Sequence, residues 1–407
     1  MPSSTDWVPR PQSVWAAGMK VLVAHNFYSS AAPSGENTAV VRDVEVLRGA
    51  GHDVRELFRR SDDINLDALV RAGGGIRAVE PVRRLRELLR TGWRPDIVHV
   101  HNLFPLLTSS VVRLAADDGL PVVQTLHNYR RTCAAGTHFR DARVCEDCTA
   151  TRVPWPAVIH GCYRGSRTQT IPVAVNQVLD KRVWDQLDAH IALTDYMRSR
   201  LVNDGVPAAA VVVRPTSIQD PGPPSSPGPN LLFVGRLTEE KGPMLLLEAW
   251  NRSTASASRK LEIIGDGPQA AEVAAKAAAS TNVLFAGRQG PAAVESAMRR
   301  AATLVLPSLW YEGFPTVVTE AFAHGRAVLT CDNANLRTVV SGAGWSAEPT
   351  PGGLATAIDD VFSDDDRLAR YGHHARARYE SEMTPAESYR RLLAAYELAI
   401  GRRQQAS

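Results

Sequence analysis

Short apolar runs alternate with amphipathic stretches along most of this chain. The first clear run, Lys20-Val-Leu-Val-Ala24, predicts a β-strand. A polar, glycine-containing loop, Ser29 to Asn37, follows it. Val40, Val41, Val44 and Leu47 then recur on one face of a predicted helix that ends at Gly49-Ala-Gly-His52. Further strand-like runs are Asp96–Val100, Pro121–Thr125, His190–Leu193 and Val211–Arg214, with helical patterns between them. Residues 220–229, D-P-G-P-P-S-S-P-G-P, are the densest Pro/Gly/Ser segment and predict an interdomain linker. Beyond the linker the pattern restarts. Asn230–Gly235, Leu261–Ile264, Val283–Phe285 and Thr303–Leu306 read as strands, Leu245–Trp250 as part of a helix, and about residues 384–403 as a closing helix.

Strands alternating with helices predict an α/β fold with parallel sheets covered on both faces. The restart predicts two Rossmann-like domains facing each other across a cleft. The expected boundaries are a flexible tail 1–18, a first domain 19–215, a linker 216–229, a second domain 230–383, and a C-terminal helix and tail 384–407. The 407 residues, 44% hydrophobic and 22% charged, have the balance of a two-domain globular chain. A net charge of +3 is too small to argue for a nucleic-acid partner. No apolar run reaches the roughly 18 residues needed to span a bilayer. The start, M-P-S-S-T-D-W-V-P-R-P-Q-S, lacks the apolar core of an export signal, so a cytoplasmic location is expected. Only five Lys stand against 41 Arg, so a lysine inside a motif draws attention.

Open α/β sheets bind ligands beyond the carboxyl ends of their strands. Gly235-Arg-Leu-Thr-Glu-Glu-Lys-Gly242 follows a strand directly. Arg236 offers a planar fork and Lys241 a point charge, a combination suited to a diphosphate; a solvated charged turn is the plain alternative. Ile264-Gly-Asp-Gly-Pro268 permits a tight turn and close backbone approach. In Trp310-Tyr-Glu-Gly-Phe-Pro-Thr-Val-Val-Thr-Glu-Ala-Phe322, Pro315 suits a first helical position. The amides of Gly313, Phe314, Thr316 and Val317 would then gather at a helix N-terminus, a natural anion site. Glu312 precedes that terminus and Glu320 lies more than a turn inside the helix. This spacing argues against a close carboxylate pair and for two hydroxyl clamps on one long ligand.

These motifs, taken in order, resemble the retaining glycosyltransferases of family 4, which have the GT-B fold. The resemblance runs from Met19 to about residue 395. It implies a first domain on the acceptor side and a second that binds a nucleotide-sugar donor. Arg236 and Lys241 would bind the donor diphosphate. Glu312 would contact the transferred sugar, with Gly313 and Phe314 near sugar and phosphate, Pro315 and Thr316 at the helix start, Glu320 on the ribose, and Arg288 near the base. Ala32-Pro-Ser-Gly-Glu-Asn-Thr38 stands where the family commonly has two glycines; here Gly35 alone would supply the left-handed turn, with Glu36 and Asn37 facing the cleft. His127, after the strand at 121–125, would sit beside the transferred sugar. His101 is a second candidate and His99 reads as structural. The implied chemistry is metal-independent front-face substitution onto a hydroxyl acceptor, with no cofactor beyond the donor. A GT-B epimerase or phosphorylase, or an inactive zinc-bearing scaffold, are the competing readings.

Cys133, Cys145, Cys148 and Cys162 lie within thirty residues, and Cys145-Glu-Asp-Cys148 is a C-x2-C knuckle. They predict a structural zinc site in an insert spanning 133–162, with His138 and His160 as substitute ligands; buried free thiols or a redox pair are the alternatives. Val82-Arg-Arg-Leu-Arg-Glu-Leu-Leu-Arg90 has an apolar and a basic side. It leaves open either an ordinary outer face or contact with the inner face of a membrane carrying a lipid-linked acceptor.

Overall fold

The computed structural model describes residues 18–28, 34–63 and 79–406. Most of the expected tail and residues 29–33 of the first loop lie outside the described residues. In chain order the first half contributes β1 (Lys20–Phe27), β2 (Asp53–Arg60), β3 (Ile97–Val100), β4 (Val122–Leu126), a small hairpin β5 (Phe139–Arg140) and β6 (Arg143–Val144), β7 (Ala189–Ala192) and β8 (Val211–Val213). The second half contributes β9 (Asn230–Val234), β10 (Leu261–Ile264), β11 (Val283–Gly287), β12 (Ala301–Leu306), β13 (Ala327–Cys331) and β14 (Gly344–Ala347). Two six-stranded sheets result, ordered β2-β1-β3-β4-β7-β8 and β11-β10-β9-β12-β13-β14. All ladders within them are parallel.

Parallel strands covered on both faces bury every residue, as β3, β4 and β7 do. The period-2 pleat divides the second sheet between two cores. Leu231, Phe233, Ile263, Val305 and Leu329 face Leu246 and Trp250 on one side. Leu232, Ile264, Leu304, Leu306 and Val328 face Val318 and Phe322 on the other. Residues 214–229 join the sheets with neither helix nor strand.

The final helix, Pro385–Ala406, returns to the first sheet. Its Tyr389, Leu392, Tyr396 and Ala399 share a core with Val21, Val23 and Ile97. A second tie crosses the same region. Arg214 donates to the Asp43 carboxylate oxygens at 2.8 and 2.5 Å and to the two Ser388 oxygens at 3.0 and 2.9 Å. Burial alone would raise the Asp43 carboxyl, but the Arg214 guanidinium holds it below its ordinary range. Both ends are buried. Removing one charge leaves the other uncompensated, so Asp43→Asn should cost about 3–5 kcal/mol in chemical denaturation. A loss under about 1 kcal/mol would mark the pair as no stronger than a surface contact.

The basic helix at Val79–Arg90 turns Leu85, Leu88 and Leu89 into a core with Val98 and Val100. Its apolar side is therefore occupied, and only the arginine face meets solvent. The outer face is the arginine side alone, and contact of this helix with a membrane is not shown. Among the described residues no helix is long and apolar enough to cross a membrane.

Candidate active site

The order of the second sheet reverses between β9 and β12, so the loops after both strands open onto one crevice. Lys241 comes from the first loop and Glu312 from the second. Across 71 residues of chain, Lys241 Nζ donates to Glu312 Oε1 at 2.6 Å. Ser308 Oγ donates to the same oxygen at 2.7 Å. The ammonium also stands 5.4 Å from the Trp310 ring centroid, a cation–π distance. Glu312 is only 5% exposed. Burial by itself would push its carboxyl up; the Lys241 charge and the two hydrogen bonds outweigh this and hold it below the ordinary range. The backbone of the loop is pinned too. Asn333 donates to the carbonyls of Ser308 and Trp310 at 3.4 and 3.2 Å, and Asn335 to that of Glu312. From the opposite lobe, Tyr129 donates its hydroxyl to the Glu312 carbonyl at 3.2 Å.

Glycines permit the close approaches around this loop. A Cβ on Gly313 would lie 2.1 Å from the His127 carbonyl oxygen, in the other lobe. Gly242, at φ +68, backs onto the Pro307 carbonyl. The two glycines of Ile264-Gly-Asp-Gly-Pro268 meet the chain at Gly235 and Leu237, so their freedom serves the neighbouring loop.

The helix after the loop spans Thr316–Ala323, with Pro315 as its N-cap in extended conformation and not as the first helical residue. Gly35 is also corrected. It has no left-handed turn, but opens the helix Gly35–Gly49, because Ser34 already takes the extended N-cap conformation. A Cβ on Gly35 would sit 3.7 Å from Thr316 Oγ1. Two helix N-termini from opposite lobes thus face each other, and both present unpaired amides and positive dipole ends. The cleft cavity between them holds about 1280 Å³ of space open to solvent. Its walls include Arg236, Lys241, Glu312, Phe314, Thr316 and His127. Among the described residues Arg236 is held only by Glu240 at 3.3 Å, and it is largely exposed, free to swing onto a ligand. Glu320 opens onto an adjoining cavity that shares Gly35 and Thr316. Burial raises its carboxyl, and Arg42 opposes the shift. Arg288 stands exposed after β11 at the same sheet edge and lines neither cavity.

On the first lobe His127 Nε2 lies 3.0 Å from His101 Nδ1. Burial, reinforced by His25, pushes His127 down to about 3, so it works as a neutral imidazole. His101 is buried and likewise pushed well down. His99 is structural, bridging Tyr396 at 2.9 Å and Thr125 at 2.8 Å. Asn37 turns to His25 at 3.1 Å. Glu36 does face the cleft, beside Tyr28, Asn128 and Arg130. Sequence reasoning missed these partners; the run N-Y-R-R directly after His127, at a strand's carboxyl end, was the available signal. A second cavity of about 750 Å³ opens behind Glu36 and His127 and is lined by Gln124, Arg131, Gln177 and Asp180.

Burial pushes Glu36 up to about 7 against the Arg130 charge and hydrogen bonds from Tyr28 and Asn128. Between its ordinary value of 4.5 and about 7 the folded chain keeps a proton that the unfolded chain has released. The Glu36 contribution to stability therefore falls as pH rises through that window, against the buried histidines, whose lowered values act in the opposite sense below 6.5; Glu36→Gln should make stability rise more steeply with pH there. Denaturation at a series of pH values reads this; an identical slope in the variant would contradict it.

The four clustered cysteines are free thiols. Burial raises Cys148 and Cys162, and the neighbouring thiols add to the shift. Yet among the described residues no three His, Cys, Asp or Glu side chains are placed to hold one metal ion. His138, the substitute ligand, is engaged by the Cys145 carbonyl at 2.9 Å and Thr132 at 2.9 Å. The expected zinc site is thus not shown among the described residues. The insert packs through His138 against Tyr129 and Tyr311, beside the Glu312 loop.

Two parallel-sheet lobes meeting at a cationic cleft define the GT-B architecture of sugar-transferring enzymes. Residues 34–216 match the model of the glycosyl transferase 4-like domain, and residues 228–364 that of the glycosyl transferases group 1. The chain belongs to this glycosyltransferase family. It is 26% identical to a phosphatidyl-myo-inositol mannosyltransferase of Mycolicibacterium smegmatis over 92% of each chain. It is 27% identical to a 2-deoxystreptamine N-acetyl-D-glucosaminyltransferase of Streptomyces fradiae, over 77% of this chain and 73% of that one. An Anabaena protein, HepE, crystallised with UDP and glucose, shares the fold at a TM-score of 0.61 and 15% identity, covering 93% of this chain and 99% of the other.

Proposed function

We propose that the protein is a retaining glycosyltransferase. It would move a sugar from a nucleoside-diphosphate sugar in the cleft to a hydroxyl of an acceptor held by the first lobe. The observation that carries this reading is the Lys241–Glu312 pair set between two opposed helix N-termini. Lys241, Arg236 and the amides of Thr316 and Val317 neutralise the donor diphosphate. Both bonds to Glu312 fall on Oε1, so Oε2 is the oxygen assigned to a hydroxyl of the transferred sugar. Glu320 takes the ribose, and Arg288 stands towards the base. His127 hydrogen-bonds the sugar as a neutral group.

In the proposed step the bond from the anomeric carbon to the diphosphate oxygen breaks. The acceptor oxygen bonds the same face of that carbon, and its proton passes to the departing phosphate oxygen. Fixed cations and amides stabilise the charge that develops there. They supply the charge that a divalent ion provides in other sites, so EDTA should leave transfer unchanged. The polar side chains behind Glu36 and His127 are the place assigned to a hydroxylated acceptor head, and two relatives carry phosphatidyl-myo-inositol and 2-deoxystreptamine in their names. A cytoplasmic location follows from the donor class.

Release of nucleoside diphosphate across UDP-, GDP-, ADP- and dTDP-sugars, with the product anomer read by NMR, tests the reading. One donor class should yield diphosphate and a product of unchanged configuration. Inversion, epimerised donor without release, or a strict need for free phosphate would each overturn it.

A further inference from the structure

Apolar side chains are unevenly distributed over the surface. Among the described residues eight large hydrophobic side chains are exposed, and five of them lie on two packed helices of the first lobe. These helices are Trp155–His160 and Arg167–Trp184, joined through the buried Ala157 and Val173. Trp155 and Ile159 are one turn apart at 63% and 57% exposure. Ile171, Val175 and Leu179 follow one another at i, i+4 and i+8, at 49%, 39% and 50% exposure. Such side chains gain nothing from water, and a concentration of them on two packed helices points to a contact surface.

The charges around the ridge identify what it contacts. Arg152, Arg167, Lys181 and Arg182 are all exposed beside it. The single carboxylate between residues 149 and 184 is Asp180, and it turns inward to accept from Ser109 Oγ at 2.5 Å. The outward face of these two helices is thus apolar at its crest and basic at its rim, with the nearest exposed carboxylates, Asp185 and Asp204, at the Lys181 end. This is the pattern of a helix lying in the interface of an anionic bilayer, its apolar crest among the acyl chains and its cations among the headgroups. The inner face of the same long helix supplies Val173, Asn176, Gln177 and Asp180 to the 750 Å³ cavity. A helix resting on lipid would therefore hold that cavity at the membrane surface. The earlier basic helix, Val79–Arg90, offers charge alone, since its leucines are in the core.

We propose that the helices Trp155–His160 and Arg167–Trp184 form a docking surface for an anionic lipid bilayer, with Trp155, Ile159, Ile171, Val175 and Leu179 as the inserted ridge. The surface is read from exposure and charge and does not depend on the transferase reading. Co-sedimentation of the full chain with phosphatidylcholine vesicles, with and without phosphatidylglycerol, tests it. The chain should bind the anionic vesicles and not the neutral ones, and lose them in molar salt, where the screening length falls to about 3 Å. Trp155→Ser combined with Ile171→Ser and Leu179→Ser should lower the bound fraction about tenfold or more, with an unchanged thermal midpoint. Arg167→Glu with Arg182→Glu should do the same by a separate route. Absence of binding to anionic vesicles at low salt, or wild-type binding by both variants, would overturn the proposal. So would a lipid-free dimer in sedimentation velocity that the serine variant dissociates, because the ridge would then be covered by a second copy.

Discussion

Lys241→Ala should lower turnover by about 10²–10³-fold, the range seen when one preorganised group at a developing charge is removed. In the proposed transition state the diphosphate oxygen gains charge as the sugar leaves, and Lys241 is a largely covered cation lining that cleft. Its ammonium is held by Glu312 at 2.6 Å and faces the Trp310 ring, so it is already oriented before the donor arrives. The same substitution also strands Glu312. A buried carboxylate that loses its partner costs about 3–5 kcal/mol, which would lower stability as well as rate. The double variant Lys241→Ala with Glu312→Ala separates the two effects. It should recover most of the lost stability, because no uncompensated charge remains, while turnover stays low. Turnover within tenfold of wild type for Lys241→Ala would end the assignment.

Gly313→Ala should lower turnover by about 10–100-fold through geometry alone. The added methyl would meet the His127 carbonyl oxygen at 2.1 Å, with backbone on both sides and no flexible side chain to yield. The two loops must part, and they belong to opposite lobes. Glu312 and Thr316 would move away from His127 and Glu36, and a misplacement near 1 Å can cost about 10²-fold. Each lobe keeps its own core, so the thermal midpoint should change little. Kinetics of the variant beside its melting curve reads this; wild-type turnover would show that the lobes need not touch at Gly313.

Much of this was legible in the sequence where strands end in charged or glycine-rich loops. β9, β10 and β12 are short apolar runs with abrupt ends, and the chemistry sits immediately after them. β2, Asp-Val-Arg-Glu-Leu-Phe-Arg-Arg, escaped notice because an edge strand keeps polar side chains. β14 is only Gly-Trp-Ser-Ala, too short to show a period. The closing helix was readable as a helix, but its return to the first sheet rests on contacts nearly 300 residues apart, such as Tyr396 with His99. The Lys241–Glu312 bond was hidden for a similar reason. Both residues were placed at the carboxyl edge, but only the reversal of strand order between β9 and β12 makes them neighbours. Gly35 misled because a lone glycine reads equally as a turn or as a helix start beside a neighbour that needs room. The cysteines do gather, since Cys148 and Cys162 feel the neighbouring thiols, but a metal-holding arrangement of three ligands is a matter of angles and distances that sequence spacing does not set.

The central claim is that Lys241 and the opposed helix termini form a nucleoside-diphosphate site. A thermal-shift titration of wild type and Lys241→Ala with UDP, GDP, ADP and dTDP tests it most directly, since a ligand that binds only the folded state raises its midpoint. At least one diphosphate should raise the wild-type midpoint, and the variant should lose most of that shift. No shift with any of the four, or an equal shift in the variant, would contradict the claim.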